Sequence, residues 1–275
     1  RLATATIDNR VDLWDAATGA ALARPNPEHT DAVYTVAFSP DGNYLATGGK
    51  DKTVIVWDVD RDVDQPVMDV AYLLRSPTNT VTDVAFSPDG VCIGYASLDR
   101  TVHVHTTELS QDQMNTILLQ GHTDGIRRLA FRPAPANNAP QGKTTICGAE
   151  LATVAYDGTA RRWNIGPTAE KLTIAGFEQP VEDVAFTPDG AQIAAASDDG
   201  SVTLWDAATG QKVYDFAGHP VRANAVDISP HGETLASAGF DATVGLWDVA
   251  SGAEVTMLAE HIARALVAEL LGREV

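Results

Sequence analysis

At 275 residues the chain is long enough to bury a core of its own, and no apolar run in it reaches the length of a membrane span. It carries 19 Lys and Arg against 37 Asp and Glu, a net charge of −18, which repels phosphate and argues against duplex DNA or long RNA as a general partner. Its two cysteines, Cys92 and Cys147, read as separate thiols in a reducing, cytoplasmic setting without a disulfide framework, and the N-terminus has no basic-then-apolar signal segment.

The first block of sequence carries Thr4, Asp8 and Trp14 and ends in the turn string Asp15-Ala16-Ala17-Thr18-Gly19. It opens inside a repeat, so excision from something longer is expected. In the second block, Val33 to Phe38 is an apolar-rich run suited to a strand covered on both faces. Ser39-Pro40-Asp41-Gly42 follows as a turn, in which Pro fixes φ, Asp bonds the local backbone and Gly accepts positive φ. Residues 44–48 form a second strand of small side chains, Asp51 sits in the next turn, and residues 53–57 alternate polar and apolar as a half-exposed strand does. An outer strand is expected near residues 67–71, after an acidic stretch read as a solvated face.

The third block keeps Asp99 but has Tyr95 and His105 where its neighbours carry Thr and Trp. The fourth contains a Pro-, Ala- and Asn-rich insertion over residues 132–150, read as an enlarged turn. The fifth keeps Asp199 and Trp205 but has Ala195 in place of Ser or Thr, and the sixth runs to Asp248. Packing more than polar networks is expected to hold the third and fifth blocks.

Trp14, Trp57, Trp163, Trp205 and Trp247 fall 43, 106, 42 and 42 residues apart, so one longer pair of units lies between Trp57 and Trp163. Internal repetition at this period, with Gly-His and Trp-Asp marks, predicts an all-β chain: a β-propeller of four-stranded antiparallel blades. Six repeats are visible. Six blades are expected, with seven as the alternative if the chain is truncated. Each meander hides its apolar faces by stacking on the next.

These motifs resemble the WD-repeat β-propeller family, in its bacterial form, over nearly the whole chain. The resemblance implies a buried tetrad in each repeat: a His before the first strand, Ser or Thr in the second, an Asp in the following turn and a Trp in the third. The matching sets are His29, Thr47, Asp51 and Trp57; His122, Thr153, Asp157 and Trp163; and His219, Ser237, Asp241 and Trp247. The first repeat has Thr4, Asp8 and Trp14, and Glu260-His261 repeats Glu28-His29. His261 is therefore expected to complete that tetrad, with residues 264–271 closing the ring as the missing inner strand. The helical spacing of Ile262, Leu266, Val267, Leu270 and Leu271 offers an amphipathic helix instead. The expected division is a propeller over 1–258 and a closing strand or helical tail over 259–275.

The resemblance also implies a recognition face at the positions after the tetrad His and before the turn Asp. Here it carries Tyr34, Lys50, Thr82, Leu98, Arg127, Tyr156, Glu182, Asp198, Arg222, Asn224 and Phe240. Tyr, Arg and Phe combine contact area with hydrogen bonding or stacking. Arg127, Arg128, Arg161 and Arg162 form a basic spot in an acidic protein, which suggests a partner bearing carboxylates.

The chemistry-bearing motifs are sparse. Gly142-Lys143-Thr144 lacks the preceding Gly and following helix of a phosphate loop. His103 and His105 alternate on one strand, but His105 stands at the tetrad aromatic position, so they are read as structural rather than metal ligands. No nucleophile elbow or zinc-binding His-Glu pair occurs. The expected protein is a non-enzymatic interaction scaffold, or a regulatory domain of a larger bacterial signalling protein, binding a protein, a peptide or other domains of the same chain. It is expected to use no cofactor, metal, nucleic acid or membrane. The alternatives are a catalytic propeller, such as a metal-dependent hydrolase or lactonase, and a small-molecule sensor using a central channel.

Overall fold

A computed structural model describes residues 1–23, 29–59, 68–107, 116–133, 150–165 and 169–258. Among these every regular element is a strand, and the strands form six antiparallel meander sheets. The first sheet has three strands, β1 (Leu2–Ala5), β2 (Val11–Trp14) and β3 (Ala21–Ala23). The second has four: β4 (Val33–Phe38), β5 (Tyr44–Gly49), β6 (Val54–Val59) and β7 (Met68–Leu74). The third comprises β8 (Val81–Phe86), β9 (Cys92–Ser97), β10 (Thr101–Thr106) and β11 (Thr116–Gln120). β12 (Ile126–Phe131), β13 (Glu150–Ala155), β14 (Ala160–Asn164) and β15 (Ala169–Ile174) make the fourth. The fifth holds β16 (Val181–Phe186), β17 (Gln192–Ser197), β18 (Val202–Asp206) and β19 (Lys212–Phe216). The sixth holds β20 (Ala223–Ile228), β21 (Thr234–Gly239), β22 (Val244–Asp248) and β23 (Glu254–Leu258).

The turns follow from their residues. In Ser39-Pro40-Asp41-Gly42 the Ser39 hydroxyl donates to Asp41 Oδ1 at 2.6 Å and accepts from the Tyr44 amide at 2.9 Å, while Gly42 takes φ +69°. In the turn after Trp205, Asp206 Oδ1 accepts from the amides of Ala208 and Thr209 and from the Thr209 hydroxyl. Both arrangements satisfy backbone donors that a tight reversal would otherwise leave open.

Register shifts recur where the Trp-bearing strand meets the strand that follows it. They fall next to Trp14, Trp57, Trp163, Trp205 and Trp247. In the third sheet, where His105 replaces Trp, β10 and β11 pair without a shift. The bulge thus accompanies the indole.

The described residues divide into two compact units, Arg1–Leu129 and Ala130 onward, with the boundary inside β12. In the first unit Leu13, Leu45, Ile55 and Trp57 pack the first sheet on the second, and Val56, Leu74, Val84 and Ile93 pack the second on the third. In the other unit Ile174, Val184, Ile193 and Trp205 join the fourth and fifth sheets, and Leu204, Phe216, Leu235 and Trp247 join the fifth and sixth. No sheet covers its own apolar faces; each depends on a neighbour.

Cys92, buried in β9, is disulfide-bonded. That corrects the expectation of two separate thiols, and with it the argument for a reducing compartment, since sequence spacing says nothing of which cysteines meet in space. The chain's other cysteine, Cys147, lies outside the described residues. So do His261, residues 259–275 with their expected strand or helix, and residues 134–149 of the insertion. No helix among the described residues is long and apolar enough to cross a membrane.

Candidate functional site

The polar relays inside the sheets position the loops that carry the exposed residues. In the second sheet, Trp57 Nε1 donates to Thr47 Oγ1 at 2.9 Å, and the Thr47 hydroxyl meets His29 Nε2 at 2.8 Å. His29 Nδ1 lies 2.9 Å from Asp51 Oδ2. Asp51 also accepts from the amides of Thr30 and Thr53 and from the Thr53 hydroxyl. One carboxylate thereby ties the segment before β4 to the turn between β5 and β6. Burial works to raise the Asp51 pKa, but these hydrogen bonds and His29 outweigh it and hold it below the ordinary carboxylate value. Burial lowers the His29 pKa against the pull of Asp51, so the imidazole is neutral at pH 7.

The sixth sheet repeats the relay. Trp247 Nε1 donates to Ser237 Oγ at 2.9 Å, Ser237 meets His219 Nε2 at 2.8 Å, and His219 Nδ1 lies 3.1 Å from Asp241 Oδ2. In the fourth sheet Trp163 Nε1 donates to Thr153 Oγ1 at 2.8 Å, Asp157 accepts from Thr159, and His122 is buried. In the first sheet Trp14 Nε1 donates to Thr4 Oγ1 at 2.9 Å, whereas Asp8 is half-exposed and pairs with Arg10.

The third and fifth sheets, expected to rely on packing more than on polar networks, each carry polar contacts of their own. The Tyr95 hydroxyl meets His105 Nε2 at 2.7 Å, and Thr116 Oγ1 lies 3.2 Å from His105 Nδ1. His103, directly opposite Tyr95 in the register, stacks on its ring at 5.1 Å between centroids. His103 Nε2 meets the Thr101 hydroxyl at 3.0 Å, which in turn donates to Asp99. Here an imidazole from the third strand approaches the turn-Asp and Thr pair that His29 serves in the second sheet. Burial lowers the His103 pKa and brings that of His105 to about 4, and it pushes the Tyr95 hydroxyl well above its ordinary range. In the fifth sheet Ala195 offers no acceptor, and Trp205 Nε1 donates at 2.8 Å to Thr203, two residues earlier on the same strand. A sequence signal for the fuller network was present: Thr or Ser stands two residues after Asp51, Asp99, Asp157, Asp199 and Asp241.

The expected recognition residues divide between the two units. Tyr34, Lys50, Thr82, Leu98 and Arg127 belong to the first; Tyr156, Glu182, Asp198, Arg222, Asn224 and Phe240 belong to the second. Tyr34, Lys50, Tyr156 and Phe240 are exposed, while Leu98, Arg127, Asp198, Arg222 and Asn224 are half-buried. Thr82 and Glu182 are buried, against expectation. The Thr82 hydroxyl donates to the Ile126 carbonyl at 2.7 Å. Glu182 faces inward because Arg222 gives it a counter-ion.

That pairing organises the most distinctive surface feature. Arg222 precedes β20 and Phe240 follows β21, and the Phe240 amide donates to the Arg222 carbonyl at 2.9 Å. The Arg222 guanidinium lies 2.6 Å from Glu182 Oε2, whose side chain is fully buried. Its Nε lies 2.5 Å from Asp198 Oδ1, an ionic contact outside hydrogen-bond alignment. Above the guanidinium, at 4.9 Å, sits the ring of Phe240, which is 65% exposed. Arg222 is therefore already matched by two carboxylates. The fourth sheet's basic spot is also engaged within the chain. Arg128 contacts Asp83 at 3.4 Å and donates to the Thr82 carbonyl, and Arg162 approaches Glu150 at 4.0 Å. Arg222, Arg128 and Arg162 each have a carboxylate partner within the chain. Among the described residues no group of three or more His, Cys, Asp or Glu side chains is placed to hold a metal ion.

Two family models match this chain. Residues 24–58 match the WD domain, G-beta repeat, and residues 75–271, more than half of the chain, match WDR54. Among curated proteins, Protein HIR1 of Eremothecium gossypii is 29% identical over 87 residues, covering 26% of this chain and 10% of that protein. The CCR4-associated factor 4 homolog of Candida glabrata is 44% identical over 62 residues, 22% of this chain and 10% of that one. The serine-threonine kinase receptor-associated protein of Homo sapiens is 38% identical over 66 residues, 24% of this chain and 18% of that one. The chain thus spans less than a fifth of each of these relatives. All three are eukaryotic and lend the expected bacterial type no support. With its meander sheets, its Trp-centred relays and the extent of the WDR54 match, the chain belongs to the WDR54 family of WD-repeat proteins.

Proposed function

We propose that this chain is a non-catalytic protein-interaction module that docks a partner protein or peptide on the loops bearing the turn aspartates. The observation that carries the reading is Phe240. A large aromatic ring stands 65% exposed, yet it is held from beneath by a guanidinium that two carboxylates lock in place. A pre-positioned aromatic surrenders little side-chain entropy on binding, which is the property of an interface anchor. Two of the relatives are named for association with another protein, which fits the same reading. The finer picture is a six-bladed ring closed by the C-terminal residues and serving as a regulatory part of a larger signalling protein. It rests on the repeat count, the second Glu-His pair at 260–261 and the regular turn strings.

The test is a hydrogen-exchange footprint. Proteins captured by the wild-type chain are compared with those captured by a Phe240→Glu variant of unchanged melting temperature. A partner lost on substitution, which protects the loops at 198–200 and 239–242 in the wild type, supports the reading. Protection confined to the Ser/Thr-Pro-Asp-Gly turns, with capture intact in Phe240→Glu, overturns it.

A further inference from the structure

We infer that the third sheet is an acid-opened segment: on protonation of His103 and His105, β10 parts from β9 and β11, while the relays of the second and sixth sheets stay closed. The inference stands apart from the docking reading. What distinguishes the three sheets is the kind of group that faces each imidazole. His29 Nδ1 lies 2.9 Å from the Asp51 carboxylate and His219 Nδ1 lies 3.1 Å from that of Asp241, so a positive ring at either place has a counter-ion in contact. His105 instead meets hydroxyls at both nitrogens, Tyr95 at 2.7 Å and Thr116 at 3.2 Å. His103 Nε2 meets the Thr101 hydroxyl at 3.0 Å, and because that hydroxyl donates to Asp99, the ring supplies the proton of this bond. His103 Nδ1 is then a bare acceptor, buried and without a partner. A proton added there gains no acceptor, and one added to His105 Nε2 sets a second donor against the Tyr95 O–H. Both rings are buried, at 7% and 3% exposure, and both stack on the one phenol of Tyr95, at 5.1 and 5.4 Å between centroids. A charge on His103 therefore also opposes one on His105.

The groups around the two rings, among the described residues, do not supply the missing counter-ion. From the second sheet Val54, Val56 and Leu74 pack in the same cluster as Tyr95, with Tyr44 and Tyr72, whose phenols stay neutral in acid. β11 brings Thr116, Leu118 and Gln120 opposite His105, His103 and Thr101. β9 brings Tyr95, and the segment before β8 brings Ser76, whose side chain hydrogen-bonds it. The turn adds the exposed Arg100 and Asp99, whose carboxylate is separated from His103 by the Thr101 hydroxyl. Rings that must be neutral to fit keep the sheet closed above the ordinary histidine pKa and open it as pH falls below that value. The same turn carries Leu98, whose amide donates to the Thr80 carbonyl at 2.9 Å, so opening frees a loop as well as a strand.

Hydrogen exchange read by mass spectrometry tests this on the full chain, at about pH 7.5 and about pH 5, with the intrinsic pH dependence of exchange corrected for. Residues 92–106 and 116–120 are expected to lose protection by about tenfold or more on acidification, while residues 44–59 and 234–248 keep theirs. Equal loss in all three sheets would mean general acid unfolding and overturn the inference, as would a third sheet equally protected at both values. His103→Gln and His105→Gln each remove one ionisable ring and should shrink the pH-dependent loss in the third sheet; a loss undiminished in both would overturn the inference. Should neither variant fold, the wild-type profile against pH still decides. Opening driven by the rings sets in below about pH 6.5, whereas an onset only near about pH 4 would place the trigger on carboxylates and overturn the inference.

Discussion

Tyr95 and His105 exchange the roles that Thr and Trp play elsewhere: the hydroxyl comes from a tyrosine on β9, and an imidazole on β10 meets it at 2.7 Å. Both side chains are buried, at 0% and 3% exposure. A neutral His105 that accepts from Tyr95 at Nε2 can donate from Nδ1 to Thr116, so one tautomer satisfies all three groups.

Tyr95→Phe keeps the ring and its stacking on His103 but strands a buried imidazole nitrogen. The expected cost is about 1–3 kcal/mol, the penalty for an unsatisfied buried polar group. Urea denaturation of the variant measures it, and a midpoint equal to wild type would show that the pair carries no net stability.

Acid should weaken the fold as its buried histidines are protonated. His105 binds its proton at about 4 in the folded chain and near 6.5 when unfolded, and burial likewise lowers His103 and His29. Between those values the unfolded state holds more protons, so stability is full above about pH 6.5 and falls as pH drops toward 4. His105 alone accounts for about 3 kcal/mol across that window. Denaturation midpoints at pH 7.5, 6, 5 and 4 check this, and His105→Gln should flatten part of the slope.

Trp57 and Trp205 should prove comparable. Each indole donates one hydrogen bond, to Thr47 at 2.9 Å and to Thr203 at 2.8 Å. Replacement by Ala should cost about 3–5 kcal/mol at either site, and replacement by Phe should remove one indole hydrogen bond at each. A much smaller loss for Trp205→Phe would mean that its bond to Thr203 contributes little.

The residue after each turn aspartate has positive φ: Asn9 at 69°, Lys52 at 67°, Arg100 at 75°, Gly158 at 69°, Gly200 at 89° and Ala242 at 62°. Ala bears this conformation at a cost that Gly does not. Ala242→Gly should therefore raise stability by up to about 1 kcal/mol, reduced by the greater freedom of Gly in the unfolded chain. A thermal melt decides it, and a lowered midpoint would mean that chain entropy outweighs the relieved strain.

The parts that one hairpin contains were legible in the amino-acid sequence alone. The repeat period, the Ser/Thr-Pro-Asp-Gly turns and the Thr-Asp-Trp spacing depend on residues within about ten positions of one another, where strand alternation and turn geometry fix which side chains meet. The replacements in the third and fifth sheets were legible only as departures. Whether Tyr95 finds His105, or Trp205 finds Thr203, depends on how an atypical side chain reorients against its neighbours. The Arg222 surface was out of reach in the same way. Its four residues come from separate segments between 182 and 240, and a sequence shows which side chains are charged but not which charges come within 3 Å. Tertiary packing set Arg222 against Glu182 and Asp198, and a fully buried Glu182 needs such a counter-ion.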